Sequence, residues 1–154
     1  MRLAIVAVGQ IKDGPERQLI DDYMNRASRL ARALGVREVR EIEIADGGGQ
    51  TREAERVLAR LDPGLTPIRL DERGTAMGSV AFANLIETTR DRGEAGFAFL
   101  IGGADGHGQA VIEAAPQAIS FGVQTWPHKL ARVMLSEQIY RALSVLAGSP
   151  YHRA

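Results

Sequence analysis

The sequence has no cysteine. That excludes disulfide staples, thiolate zinc sites and a thiol nucleophile, and it fits a reducing compartment. It has no surplus of either charge, since 19 basic residues balance 19 acidic ones. Gripping bare nucleic acid takes many unopposed Lys and Arg, so no DNA partner is expected. It has no long apolar run. The apolar start at residues 3–8 meets Gly9, which is too short for a secretory signal. No stretch reaches the ~18 residues of a membrane span. The expected location is therefore the cytoplasm, with no membrane partner. Glycines 47–49 lack the Lys-Ser/Thr ending of a phosphate loop, so 46–50 is expected to be a plain linker. No G-x-S-x-G nucleophile elbow and no zinc-protease motif occurs. Three scattered histidines without a carboxylate pattern give no metal site.

What is there suits a single domain spanning 1–154, because 154 residues at 45% apolar content can build one full core. Residues 3–8 read as a buried strand. Leu19, Ile20, Tyr23, Met24, Ala27, Leu30, Ala31 and Leu34 recur at helical spacing, with Gly35 at the C-cap. Residues 39–44 alternate as a strand, 51–61 form a short helix, and 66–70 form a third strand that runs into a turn at 70–74. Ser79 is placed to cap a helix reaching about residue 90. Residues 97–101 are fully apolar, as a central parallel strand must be when both its faces are covered. A Gly102-Gly103-Ala104-Asp105-Gly106 turn follows, then a helix at 109–115, a fifth strand at 118–123, and a last helix opened by Pro127. Strand and helix alternate, which predicts an α/β domain with a mostly parallel sheet and helices on both faces. The strand ends at 70–74, 102–106 and 124–127 are expected to meet, because ligand crevices in such sheets lie beyond the strands' carboxyl ends.

The last helix is unusual. Leu130, Val133, Met134, Leu135, Ile139, Leu143 and Leu146 cover most of its circumference, so other segments or a second copy of the chain must cover it. From residue 126 onward, Lys129, Arg132, Arg141 and Arg153 face a single acid, Glu137. Glu137 and Arg141 are spaced to pair. The tail Tyr151-His152-Arg153 could be an inert chain end. It also holds a ring, an imidazole and a forked cation, the groups that hold a base and a phosphate. His128 could be a satisfied core histidine, and His107 reads as a loop residue.

Together these motifs resemble one family. The segments are Leu100-Ile101-Gly102-Gly103-x-x-Gly106, then Trp126-Pro127-His128-x-Leu130-x-Arg132-Val133-x-Leu135-x-Glu137-x-x-Tyr140-Arg141-Ala142, then Pro150-Tyr151-His152-Arg153. They look like the ribosomal RNA large-subunit methyltransferase H family, small pseudouridine N3-methyltransferases of the SPOUT class. Val6-Ala7-Val8-Gly9 and Leu70-Asp71-x-x-Gly74 match as well, whereas Trp126 stands where a smaller apolar residue is expected. The resemblance implies a C-terminal trefoil knot, a homodimer and S-adenosylmethionine (SAM) as methyl donor. It implies as substrate a pseudouridine in helix 69 of 23S rRNA, within assembled ribosomes. Donor contacts carry over to Leu70, Gly102 and Gly103, and along Gly122-Val123-Gln124-Thr125-Trp126-Pro127; Leu70, Ile101, Val123 and Leu135 are expected to sandwich the adenine. A sulfonium methyl is already electrophilic, so no metal is called for. His152 is expected as base or proton relay, Tyr151 as stacking platform and Arg153 as a phosphate or carbonyl contact, with Glu137 and Arg141 holding the tail. The competing expectations are a noncatalytic ribosome-binding factor of the same fold and a generic phosphotransferase. The missing phosphate loop counts against the latter.

Overall fold

Strand β1 (Arg2–Val8) shows how the chain sorts side chains into two layers. Leu3, Ile5 and Ala7 enter one apolar cluster, and Ala4, Val6 and Val8 enter another, because successive strand residues point to opposite faces. Neither face is left to water, so the strand carries no polar alternation. The structure is a computed structural model and describes residues 1–153.

The other elements are α1 (Pro15–Ala31, with a 3-10 turn at Arg32–Leu34), β2 (Glu38–Ile44), α2 (Gln50–Arg60), β3 (Thr66–Ala76), α3 (Ser79–Asp91), β4 (Gly96–Ile101), α4 (Gln109–Ala114), β5 (Ala118–Ser120) and α5 (His128–Leu146). The strands form one sheet in the order β2-β1-β4-β3-β5, and every pairing is parallel. Strand β4 lies in the middle and is buried along its whole length, as its unbroken apolar run predicts. Helices α1, α3 and α5 cover one face and α2 and α4 the other. Gly35 closes α1's extension in the left-handed conformation, at φ 77°.

Gly96 is required by close approach. Its φ is +126°, and an added Cβ would run into the Arg2 carbonyl oxygen of the neighbouring strand. Gly96→Ala is therefore expected to destabilise the fold by about 3 kcal/mol or more, read as a lower urea midpoint at unchanged slope.

Several boundaries differ from the sequence expectation. Strand β3 continues beyond Leu70 to Ala76, and its register against β5 shifts between Leu70 and Thr75. The expected turn at 71–74 is a bulge inside a strand. Gly74 passes so close to β5 that a Cβ would sit 2.6 Å from the Ala118 carbonyl carbon. Strand β5 ends at Ser120 rather than residue 123, because the Ser120 hydroxyl accepts from Gly122 N–H (3.1 Å) and donates to Gly122 O (2.6 Å). Ser79 does not cap α3. Gly78 holds the N-cap position, and the Ser79 hydroxyl donates to Gln138 on α5 at 2.8 Å.

Helix α5 buries Leu135, Ile139, Ala142 and Leu143 completely. The opposite side is only partly covered within one chain, and Leu130 stays 41% exposed. Its largest buried side chain is a charged one. Arg132 is 1% exposed and reaches Glu41, Glu43 and the Gly9 carbonyl.

Candidate functional site

Three chain segments converge at the bulge of β3 and beyond the carboxyl ends of β4 and β5. They are the β3 bulge, the 102–108 loop and the 121–128 loop, and they line a cavity of about 780 Å³. Leu70, Ile101 and Ile119 supply apolar wall, and Gly102, Gly103, Gly106 and Gly122 supply bare backbone. Glycine lets a ligand approach main-chain polar groups that a side chain would shield. Gly102 and Gly103 also face protein on their side-chain side. A Cβ on Gly102 would lie 2.8 Å from the Gly106 carbonyl carbon, and one on Gly103 would lie 3.1 Å from Val8. The loop is held from below by α2, whose Gln50 amide donates to the Asp105 carbonyl. A Thr125 hydroxyl donating to Glu72 at 2.6 Å ties the 121–128 loop to the β3 bulge across the mouth.

Of the expected donor contacts, Leu70, Gly102, Gly103, Gly122, Gln124, Thr125, Trp126 and Pro127 line this crevice. Two do not. Val123 points outward at 96% exposure, because the Gly122 turn aims it at solvent. Leu135 is fully buried in the core, and the residues of α5 that reach the wall are His128 and Ala131. His128, the first residue of α5, lines the crevice and is not a core histidine.

His107 is a loop residue, as expected, and also lines the crevice. Its Nε2 lies 2.9 Å from the Leu70 carbonyl oxygen. A carbonyl only accepts, so the ring donates Nε2–H there. Burial lowers its pKa below the ordinary 6.5, with Arg69 adding to that; the Leu70 bond and Asp71 oppose it less strongly. The signal available in the sequence was a titratable ring inside a glycine-rich exit of a buried strand.

The C-terminal tail makes a second cluster. Glu137 Oε1 accepts from Arg141 Nε at 2.9 Å, from Arg141 Nη2 at 2.5 Å and from the Tyr151 hydroxyl at 3.0 Å. Arg141 also stacks over the Tyr151 ring at 4.9 Å and lies 3.2 Å from His152 Nδ1. Burial raises the Tyr151 phenol pKa, and the Glu137 carboxylate raises it further. Tyr151 packs on Tyr140, with ring centroids 4.5 Å apart. Arg153 is exposed. Glu137 and Arg141 therefore hold the tail within their own chain. None of the five tail residues lines the crevice of that chain. Glu137 lies nine residues past His128, roughly 14 Å along the helix axis. Among the described residues, no group of three or more His, Cys, Asp or Glu could hold a metal ion. No described helix is long and apolar enough to cross a membrane.

A parallel sheet with a glycine-lined crevice at its carboxyl edge defines an α/β protein built to hold a small ligand there. The family model SPOUT_MTase, described as "Predicted SPOUT methyltransferase", matches residues 1–152. Ribosomal RNA large subunit methyltransferase H of Hyphomonas neptunium is 56% identical over 154 residues, covering 100% of both chains. The protein of the same name from Dinoroseobacter shibae is 46% identical over 155 residues, covering 99% of each. This chain belongs to the SPOUT methyltransferases and, within them, to the family of ribosomal RNA large subunit methyltransferase H. A SpoU methyltransferase from Streptomyces viridochromogenes, solved in complex with the cofactor AdoMet, overlaps 95% of this chain and 58% of its own at 14% identity. Its TM-score of 0.43 is too low to bear on the site.

Proposed function

We propose that this chain is a SAM-dependent methyltransferase of large-subunit ribosomal RNA. Its target is N3 of a pseudouridine in helix 69 of 23S rRNA, presented by assembled ribosomes in the cytoplasm, and it works as a homodimer. One observation carries this reading. Most of the residues that the family likeness assigns to the donor line one crevice, in a chain alike over its full length to proteins named as large-subunit ribosomal RNA methyltransferases. A cavity of about 780 Å³ lies within the range for small-ligand sites, and apolar walls beside open backbone suit an adenosine. The formal charge of zero suits a target read by the shape of an assembled particle rather than by phosphate density.

SAM supplies an electrophilic methyl group on a sulfonium. The chain's part is to bind, orient and move one proton. Leu70, Ile101 and Ile119 would pack the adenine, and backbone at Gly102, Gly103 and Gly122 would read its edges and those of the ribose. Transfer forms the bond from the methyl carbon to N3, breaks its bond to sulfur, and releases the N3 proton. That proton needs an acceptor near the tail. The crevice and the tail lie on different stretches of α5, so the tail serving one crevice is assigned to a second copy of the chain. The half-covered side of α5 supports this, as do Leu130 and Trp126, which are about 40% exposed beside the crevice mouth.

His152 takes the proton only with a rearrangement. While Arg141 donates to Nδ1, the neutral ring carries its hydrogen on Nε2 and offers a donor there. Arg141 must release Nδ1 before the ring can act as base. His152→Ala is expected to lower methylation of ribosomes about 10²- to 10⁴-fold, measured as methyl incorporation into 23S rRNA. Full turnover by His152→Ala would remove His152 from the chemistry, whereas full turnover by His152→Gln alone would make it a hydrogen-bond donor. Calorimetry with SAM tests the crevice. Failure of the wild-type chain to bind it would leave a noncatalytic ribosome-binding factor as the reading.

A further inference from the structure

His107 has a geometry that the transfer step does not use. It sits on the crevice wall, in the loop that leaves β4, with its ring turned so that Nε2–H donates to the Leu70 carbonyl. That bond fixes the tautomer. In a neutral ring whose Nε2 bears the hydrogen, Nδ1 is an acceptor. Nδ1 meets no protein donor among the described residues, and it is not among the buried polar atoms left without a partner, so it is accessible, on a residue that lines the crevice. The charged groups facing His107 are Arg69 and Asp71, which flank Leu70 where the β3 bulge begins. They are engaged with each other, Arg69 Nη1 donating to Asp71 at 3.0 Å, so neither charge is lone. The wall therefore presents an uncharged ring acceptor beside Leu70, Ile101 and the backbone of Gly102, Gly103 and Gly106.

We propose that His107 is a specificity residue of the crevice, whose Nδ1 accepts a hydrogen bond from the adenosine of the methyl donor. This rests on the SAM reading above. Adenosine offers two kinds of donor within such a wall, the exocyclic amino group and the ribose hydroxyls, and one acceptor takes either. The same ring makes binding acid-sensitive. Protonation turns Nδ1 from acceptor into donor and sets a second cation beside Arg69, in a crevice that would hold a cationic sulfonium. Burial favours the neutral ring, so the acceptor is in place at neutral pH and is lost only on acidification below the ordinary imidazole range.

The test is equilibrium binding of SAM and of S-adenosylhomocysteine to the full chain between about pH 8 and pH 5. The variant is His107→Leu, which keeps bulk and removes the acceptor. Wild type is expected to bind evenly near neutrality and to weaken as the pH falls through the His107 titration. His107→Leu is expected to bind about tenfold more weakly at pH 8 and to lose that acid dependence. Two analogues of S-adenosylhomocysteine name the group being read. One carries hypoxanthine in place of adenine, and the other lacks a ribose hydroxyl. The analogue missing the recognised donor should lose about tenfold on wild type and little on His107→Leu.

Should His107→Leu not fold, imidazole nitrogen NMR of the wild-type chain decides alone. The Nδ1 resonance must report an unprotonated acceptor in the free chain and must shift on ligand binding. Wild-type binding of SAM with His107→Leu within twofold of it at every pH overturns the inference and leaves the donor site standing. An Nδ1 resonance unmoved by bound ligand does the same. No binding by wild type overturns both.

Discussion

Replacing Arg132 with methionine is expected to cost the fold about 3–5 kcal/mol, the usual loss when one member of a buried ion cluster is removed. The side chain is 1% exposed and reaches from α5 to two carboxylates of β2 and to the carbonyl of the residue that follows β1. Nη1 reaches Glu41 at 2.9 Å and Glu43 at 2.6 Å, and Nη2 reaches the Gly9 carbonyl at 2.8 Å. Arg17 approaches the same two carboxylates from α1, at 2.6 Å from Glu41 and 3.1 Å from Glu43. Two cations thus meet the two carboxylates of β2, and Arg17 also reaches Asp21 on its own helix at 2.9 Å. Methionine fills the space of the stem but leaves two part-buried carboxylates with one partner. The Arg132 Nε has no partner among the described residues, so the cluster is already short of one hydrogen bond.

The pH dependence of that loss has a sign. Burial alone would raise the Glu41 pKa; hydrogen bonds from Arg17 and Arg132 outweigh it and hold the carboxyl below its ordinary 4.5. A depressed carboxylate contributes stability that is present above about pH 4.5 and is lost as pH falls through the folded value. The gap between wild type and Arg132→Met in urea unfolding should therefore be widest near neutrality and narrow in acid. A gap that stays constant into acid would mean Arg132 acts by packing alone.

The second large effect concerns function. Glu137→Gln is expected to lower ribosome methylation about a hundredfold through kcat, with SAM affinity unchanged. One carboxylate oxygen holds three donors from Arg141 and Tyr151, and that grip sets where Tyr151 and His152 stand. An amide keeps the shape but loses the charge. Tyr151 reports the change directly. Its pKa is raised above 10.0 by burial first and then by the Glu137 carboxylate. In the variant, the phenolate should appear at lower pH than in wild type. Lost methylation without a shift in that titration would separate Glu137 from the tail.

Much of the architecture was legible as pattern. The unbroken apolar run at 97–101 predicted a central strand, and helical spacing closed by Gly35 predicted α1. Turn residues at three strand ends predicted where the crevice lies. Pattern failed where side chains act on neighbours remote in sequence. The Ser120 hydroxyl ends β5 early by bonding Gly122, and Ser79 leaves its cap for Gln138 on another helix. Periodicity gave no sign that Arg132 is buried, because its partners are about ninety residues away in sequence, with 91 residues to Glu41 and 89 to Glu43. Leu135 looked available to a ligand, although the helix turns it into the core. His107 carried no periodic signal, since its partner is a backbone carbonyl on another strand. The tail cluster was readable as composition and i,i+4 spacing, and its residue roles came only from family likeness. The threading of a knot has no signature in periodicity and also entered only that way.

Subunit mixing is the most direct test that crevice and tail come from different copies. Gly103→Val, used once it is shown to keep the wild-type unfolding midpoint and to lose SAM binding, provides a chain with a dead crevice and an intact tail. His152→Ala provides an intact crevice and a dead tail. Each alone should be inactive. After the two are unfolded and refolded together, random pairing puts one complete site in each mixed dimer, and about a quarter of wild-type methylation should return. A mixture as inactive as its parts, with mixed dimers shown to form, would place each tail at its own crevice and contradict the account.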